Sequence, residues 1–118
     1  MLKVRTKKLD TVSVLCLEGQ IVLGDTEVLR SAVQLVSDSS DIVLDLSGVT
    51  IVDAHGLGVL LQVRQYTLAK TIHLELINVS QPLYKVFEMT RLNTVFEINP
   101  GLRLVSKCAS AHRVPVAA

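Results

Sequence analysis

The feature that most constrains this chain is the segment of residues 42–61, IVLDLSGVTIVDAHGLGVLL. Its first five residues form a near-continuous apolar run rather than a clean alternation, which is typical of a central strand covered on both faces. The pattern then predicts a turn at residues 47–48, a second apolar pair, and a helix over residues 57–69 with leucines at helical spacing. Residues 53–56 are therefore predicted to lie at a helix N-terminus.

This helix start is the main candidate for a functional site. Backbone N–H groups there lack intrahelical partners and carry partial positive charge, which suits binding an anion or reading a partner's charge. Asp53 is interpreted as the cap, whereas acid catalysis would need a second carboxylate, for which Asp45 is the only close candidate in sequence. Gly56 and Gly58 lack the remaining residues of nucleotide-binding motifs, so we expect them to let another backbone approach the helix start.

The order of the predicted elements indicates an α/β fold. Residues 2–8 and 12–18 alternate like two antiparallel strands, and helices then alternate with strands. The predicted helices cover residues 26–36 (capped by Asp25), 57–69, 82–89 and 102–107, and the later strands cover residues 42–46, 72–77 and 94–98. Right-handed crossovers would place the helices against a mixed, mainly parallel sheet. The length of 118 residues fits one domain.

Composition excludes several classes of function. The net charge of +1 argues against nucleic acid as a partner, and Lys3, Arg5 and Lys7 are interpreted as the charged face of a protected edge strand. No apolar run approaches the roughly 18 residues that span a bilayer, so we expect no membrane insertion and a cytoplasmic location. Cys16 and Cys108 occur in no metal-binding spacing, and no metal or cofactor is expected.

Four segments together resemble the STAS domains of anti-sigma factor antagonists. They are Gly19 after an apolar strand, VLDLSGVT at 43–50, DAHGLG at 53–58, and FEMTRL at 87–92. The resemblance implies a STAS domain, which we place at residues 1–108. Residues 109–118 lack a periodic apolar pattern and are predicted to form a disordered tail.

The resemblance also implies a non-enzymatic, protein-binding regulator of transcription without catalytic residues. Its expected partner is an anti-sigma factor with a histidine-kinase-like ATPase fold, and a homodimer is compatible with the sequence. The expected contact residues are Asp53, Ala54, His55, Gly56, Leu57 and Gly58, together with the helix that follows, to residue 68.

The chain departs from the family pattern at the regulatory position. In the antagonists the third residue of D-S-S-G-L-G is a serine phosphorylated by the partner kinase, and here that position is His55, preceded by Ala54. An acidic residue of the family's G-E-L-D segment is also replaced, since residues 19–22 read G-Q-I-V. The usual switch is therefore predicted to be missing.

Alternatives remain for His55 and for the whole protein. We interpret His55 as a contact residue in a protein interface. One alternative is an exposed, neutral imidazole. Another is a phosphoacceptor, metal ligand or base, but such chemistry needs a partner residue, and neither His73 nor His112 is an obvious one. The main functional alternative is a structural STAS subunit of a lipid-transport ATPase or of a stress-sensing complex. A third is a small-ligand or nucleotide sensor, which no phosphate-binding motif supports.

Overall fold

The computed structural model describes residues 1–99. The strands are β1 (Lys3–Leu9), β2 (Val12–Ile21), β3 (Asp41–Val52), β4 (His73–Ile77) and β5 (Ile98–Asn99). The helices are α1 (Glu27–Leu35), α2 (Ala54–Ala69) and α3 (Gln81–Met89), and a 3-10 turn covers Leu92–Thr94.

The five strands form one sheet in the order β1-β2-β3-β4-β5. Strands β1 and β2 pair antiparallel, whereas β2–β3, β3–β4 and β4–β5 pair parallel. The predicted α/β fold with a mixed, mainly parallel sheet is confirmed. Among residues 1–99, no helix has both the length and the apolar character needed to cross a bilayer.

The core explains the apolar run of β3. The large cluster combines strand residues with buried residues of all three helices, for example Leu15, Leu44, Leu60, Leu83 and Phe87. A smaller cluster comprises Val14, Cys16, Val43 and Ile77. Because successive strand residues point to opposite faces, the two clusters lie on opposite sides of the sheet. Residues 42–46 are buried throughout, as the run of apolar residues predicted.

The predicted turn at residues 47–48 is wrong, because β3 continues through it to Val52. Cys16 pairs with Asp45 but Glu18 pairs with Gly48, so β3 accommodates an extra residue as a bulge. A Cβ at Gly48 would lie 2.9 Å from the Leu17 carbonyl oxygen. The small residues therefore permit a bulge within the strand rather than a chain reversal.

Several predicted boundaries also differ. Helix α1 begins after Thr26, and the carboxylate of Asp25 instead lies 3.6 Å from the Met1 amine. Helix α2 begins at residue 54 rather than 57, because Asp53 caps it directly. The predicted strand at 94–98 is reduced to β5 after the 3-10 turn. The predicted helix at 102–107, the domain boundary at 108, the tail and His112 lie outside the described residues.

Candidate functional site

The candidate site lies where β3 passes into α2. Asp53 has extended backbone angles (φ −96°, ψ −177°), and its Oδ1 accepts a hydrogen bond of 2.7 Å from the Gly56 N–H. The Leu57 N–H donates to the Asp53 carbonyl oxygen at 2.9 Å, which closes the first turn. The predicted capping role of Asp53 is confirmed, and a side-chain cap of this kind contributes about 1 kcal/mol.

Asp53 also fixes the loop between β2 and α1. Its Oδ2 accepts a hydrogen bond from the Leu23 N–H at 3.1 Å, and its backbone N–H donates to the Ile21 carbonyl oxygen at 3.3 Å. The hydrogen bonds from Gly56 and then Leu23 are the main reasons that the pKa of Asp53 lies below its usual range. A carboxylate that is ionised and bonded through both oxygens is suited to holding two chain segments together, not to supplying protons.

Asp45 does not join Asp53 in a pair of carboxylates. It is almost completely buried within β3, where its Oδ1 accepts hydrogen bonds from the Ser47 N–H (2.9 Å) and from Asn78 Nδ2 (3.1 Å). No hydrogen bond links it to Asp53 among the described residues. The acid-catalysis alternative raised for Asp53 therefore gains no second carboxylate from Asp45.

The two glycines of the helix start differ in their surroundings. A Cβ at Gly56 would lie 1.9 Å from the Ile21 carbonyl oxygen, so the end of β2 approaches the helix more closely than any side chain would allow. A Cβ at Gly58 would have no neighbour within 4 Å. The expected close approach is confirmed for Gly56 within the domain, whereas the space beside Gly58 is open.

His55 is exposed in the first turn of α2, next to the exposed Ala54. No side-chain hydrogen bond or ion pair joins its imidazole to another residue between 1 and 99. The first turn holds no acidic residue, so the capping Asp53 supplies the carboxylate at this end of the helix. The site therefore presents a small, open surface with an imidazole at its centre.

His73 lies at the other end of the sheet. It begins β4 and pairs with Asp41 at the start of β3, whereas Asp53 follows the end of β3. Its Nδ1 is 3.1 Å from Asp41 Oδ1 and its Nε2 is 2.6 Å from Glu97 Oε1, and the hydrogen bond with Glu97 is the main cause of its raised pKa. His73 is thus unsuited to act with His55.

The described residues contain no group of three or more His, Cys, Asp or Glu side chains placed to hold a metal ion.

Sequence reasoning missed one residue of the surface. Leu23 is 71% exposed, although its backbone is held by Asp53. The signal was present in residues 21–23, three consecutive apolar residues between the strand predicted at 12–18 and the helix predicted at 26–36. Ile51, two residues before Asp53, is a second exposed apolar side chain.

Comparisons with known proteins were consistent with this fold. The family model of the STAS domain matches residues 3–105. No significant match was found among curated proteins.

Solved structures with the same fold share little sequence with this chain. An anti-sigma factor antagonist from Mycobacterium paratuberculosis is 22% identical, with 94% of this chain and 93% of that chain covered and a TM-score of 0.76. A putative anti-sigma factor antagonist from Thermotoga maritima is 17% identical, with 93% of this chain and 95% of that chain covered and a TM-score of 0.74. A sulfate transporter family protein from Wolinella succinogenes is 16% identical, with 87% of this chain and 88% of that chain covered and a TM-score of 0.73. With the family model matched over most of its length, the chain belongs to the STAS domain family.

Proposed function

We propose that this STAS domain is a non-enzymatic regulator of transcription that resembles an anti-sigma factor antagonist. It captures an anti-sigma factor with a histidine-kinase-like ATPase fold through residues 53–58 and the following helix, in the cytoplasm. The observation that carries the proposal is the open helix start, where Ala54 and His55 are exposed and Gly58 has free space beside it. Capture of the anti-sigma factor would release its sigma factor.

The geometry favours binding over chemistry at this surface. Asp53 holds the β2–α1 loop and the start of α2 in one arrangement, so the surface is formed before a partner arrives and little ordering entropy is lost on binding. The exposed Leu23 adds apolar contact area beside the helix start. The His55 imidazole supplies a polar contact where a partner backbone can approach.

The first test is identification of the partner. Immobilised full-length protein is exposed to native lysate, and the retained proteins are identified by mass spectrometry. A protein with a histidine-kinase-like ATPase domain is expected. Retention of the subunits of a transport ATPase instead would favour the structural STAS subunit.

Incubation with the captured kinase and ATP is expected to leave residues 53–58 unphosphorylated, because Ala54 and His55 carry no hydroxyl group. Intact mass spectrometry followed by peptide mapping is the measurement. The His55→Ser variant is the positive control, since it restores a hydroxyl at the exposed position and is expected to gain one phosphate. A stoichiometric phosphate on residues 53–58 of the unaltered chain would contradict the prediction.

Replacing His55 with aspartate is expected to weaken capture about tenfold or more. A carboxylate at a helix start stabilises the isolated domain by about 0.3–1 kcal/mol, but inside a closed interface it must be desolvated, which costs several kcal/mol. Calorimetry with the purified partner measures the affinity. His55→Asn, of similar shape and uncharged, is the matched control and should bind like the parent. If His55→Asp binds as tightly as His55→Asn, charge at this position does not control capture, and a structural subunit becomes the better account.

A further inference from the structure

The edge strand β1 has properties that the proposed capture site does not use. It pairs with β2 over seven consecutive residues without a register shift, from the Lys3–Glu18 pair to the Leu9–Val12 pair. Its other side is the edge of the sheet, and no strand among residues 1–99 pairs with it. A long, regular edge of this kind offers a row of backbone donors and acceptors to another extended chain.

The start of this strand is firmly anchored. Leu2 is buried, and the Met1 amine lies 3.6 Å from the carboxylate of Asp25. The Met1 carbonyl oxygen packs where a side chain of Gly19 would be, since a Cβ there would lie 2.2 Å from it. The edge is therefore already in the conformation that strand addition requires, so an incoming chain alone would lose conformational freedom.

The charges along β1 are all positive, and most of them have no ion-pair partner among residues 1–99. Lys3, Arg5 and Lys7 are all exposed and alternate along the strand, so they project from the same face. Lys8, on the other face, lies 3.4 Å from Asp38. Within residues 1–99, Lys3, Arg5 and Lys7 make no ion pair. The β2 residues paired with this row are Glu18 opposite Lys3, Cys16 opposite Arg5 and Val14 opposite Lys7. Of these three, Glu18 carries a carboxylate.

The positive charges of β1 determine which kind of strand can pair with its free edge. A second copy pairing through its own β1 would bring lysine and arginine rows together, which is destabilising. Other devices that block an edge, namely a proline, a bulge or a very short strand, do not occur in β1. Among residues 1–99, the feature of β1 that discriminates between incoming strands is therefore its positive charge, which disfavours basic strands and favours acidic ones.

We propose that the β1 edge binds an extended protein segment with acidic side chains at alternate positions. The segment adds to the sheet as a sixth strand through backbone hydrogen bonds, and its carboxylates face the row of Lys3, Arg5 and Lys7. Backbone pairing supplies affinity and the alternate side chains supply selectivity. This surface lies on a different strand from residues 53–58, so the two sites can be tested separately.

The test uses the full-length protein and a blocked seven-residue peptide of alternating glutamate and valine, matched in length to β1. Calorimetry measures affinity, and amide resonances of β1 in NMR spectra locate the site. The glutamate peptide is expected to bind about tenfold tighter than the same peptide with glutamine, a difference of about 1.4 kcal/mol. Methylation of alternate peptide nitrogens should abolish binding, since it removes the backbone donors but keeps the charges.

Two double variants provide the matched comparison. Arg5→Glu with Lys7→Glu is expected to lose binding of the glutamate peptide, whereas Lys70→Glu with Lys85→Glu changes the net charge equally at exposed positions away from β1 and should retain it. Thermal midpoints check that both variants are folded.

Three outcomes would overturn the proposal. Equal binding of the N-methylated peptide would reduce the effect to charge attraction alone. Tighter binding to phosphatidylglycerol vesicles, lost in the Arg5/Lys7 variant, would assign the strand to an anionic membrane surface. A dimer in sedimentation analysis that dissociates in the same variant would assign the edge to a second copy.

Discussion

Replacing Gly58 with arginine is expected to weaken capture of the anti-sigma factor about 100-fold, or about 2.8 kcal/mol, while leaving the domain folded. The open space beside Gly58 accepts a side chain, because a Cβ there meets no atom within 4 Å. Arginine also favours the helix over glycine by nearly 1 kcal/mol. In the proposed complex, however, a long charged side chain would fill the space that the partner is expected to occupy and would introduce a mismatched charge.

The measurement is partner affinity by calorimetry, alongside the thermal midpoint of the free domain. Gly58→Ala is the matched control, since it adds the same Cβ without bulk or charge and should retain most of the affinity. Parent-like capture by a well-folded Gly58→Arg protein would place the interface elsewhere on the molecule.

Replacing Gly56 with alanine is expected to lower the free energy of unfolding by about 2–3 kcal/mol. The same replacement at Gly58 is not expected to destabilise the domain. The added Cβ would lie 1.9 Å from the Ile21 carbonyl oxygen and 2.8 Å from its carbon, so backbone and not a flexible side chain must move. That movement also strains the hydrogen bond from the Asp53 N–H to Ile21. The gain in helix propensity, about 1 kcal/mol, is too small to offset it.

Urea unfolding of Gly56→Ala and Gly58→Ala measures the difference in the free energy of unfolding, and thermal unfolding of the same variants provides a second measurement. The thermal midpoint of the first should fall by about 10 °C, at roughly 4 °C per kcal/mol for a domain of this size, and that of the second should be unchanged or higher. Equal stability of the two variants would mean that the end of β2 and the start of α2 separate without cost, contrary to the close packing observed.

Asp53 connects the start of α2 to the loop between β2 and α1. Its two oxygens bind the Gly56 N–H and the Leu23 N–H, so one side chain sets both the helix start and the position of the exposed Leu23. Residues 19–22 read G-Q-I-V, and the apolar side chain of Leu23 is exposed in the same loop. The proposed capture surface therefore combines the exposed His55 imidazole with the exposed apolar side chain of Leu23.

Features that depend on neighbours in the chain were predictable from the sequence. The cap at Asp53 follows from a short carboxylate before a helical apolar pattern, and the structure shows its bond to Gly56. The burial of residues 42–46 follows from their apolar run, and the antiparallel pairing of β1 with β2 follows from two alternating strands around a short turn. Capping and side-chain alternation act within a few residues, which is why local spacing determines them.

Features that depend on the approach of distant segments were decided only by the tertiary structure. Ser47 and Gly48 look like a turn in sequence, but pairing with β2 holds them in a bulged strand. Met89 fits a core position by spacing, yet it is 77% exposed while Phe87 is buried, because the packing orientation of α3 decides which residues face the sheet. Gly56 and Gly58 differ only because Ile21, 35 residues before Gly56, contacts one and not the other. Local sequence carries no record of such a contact, since it is created by the crossover that brings β2 beside the start of α2.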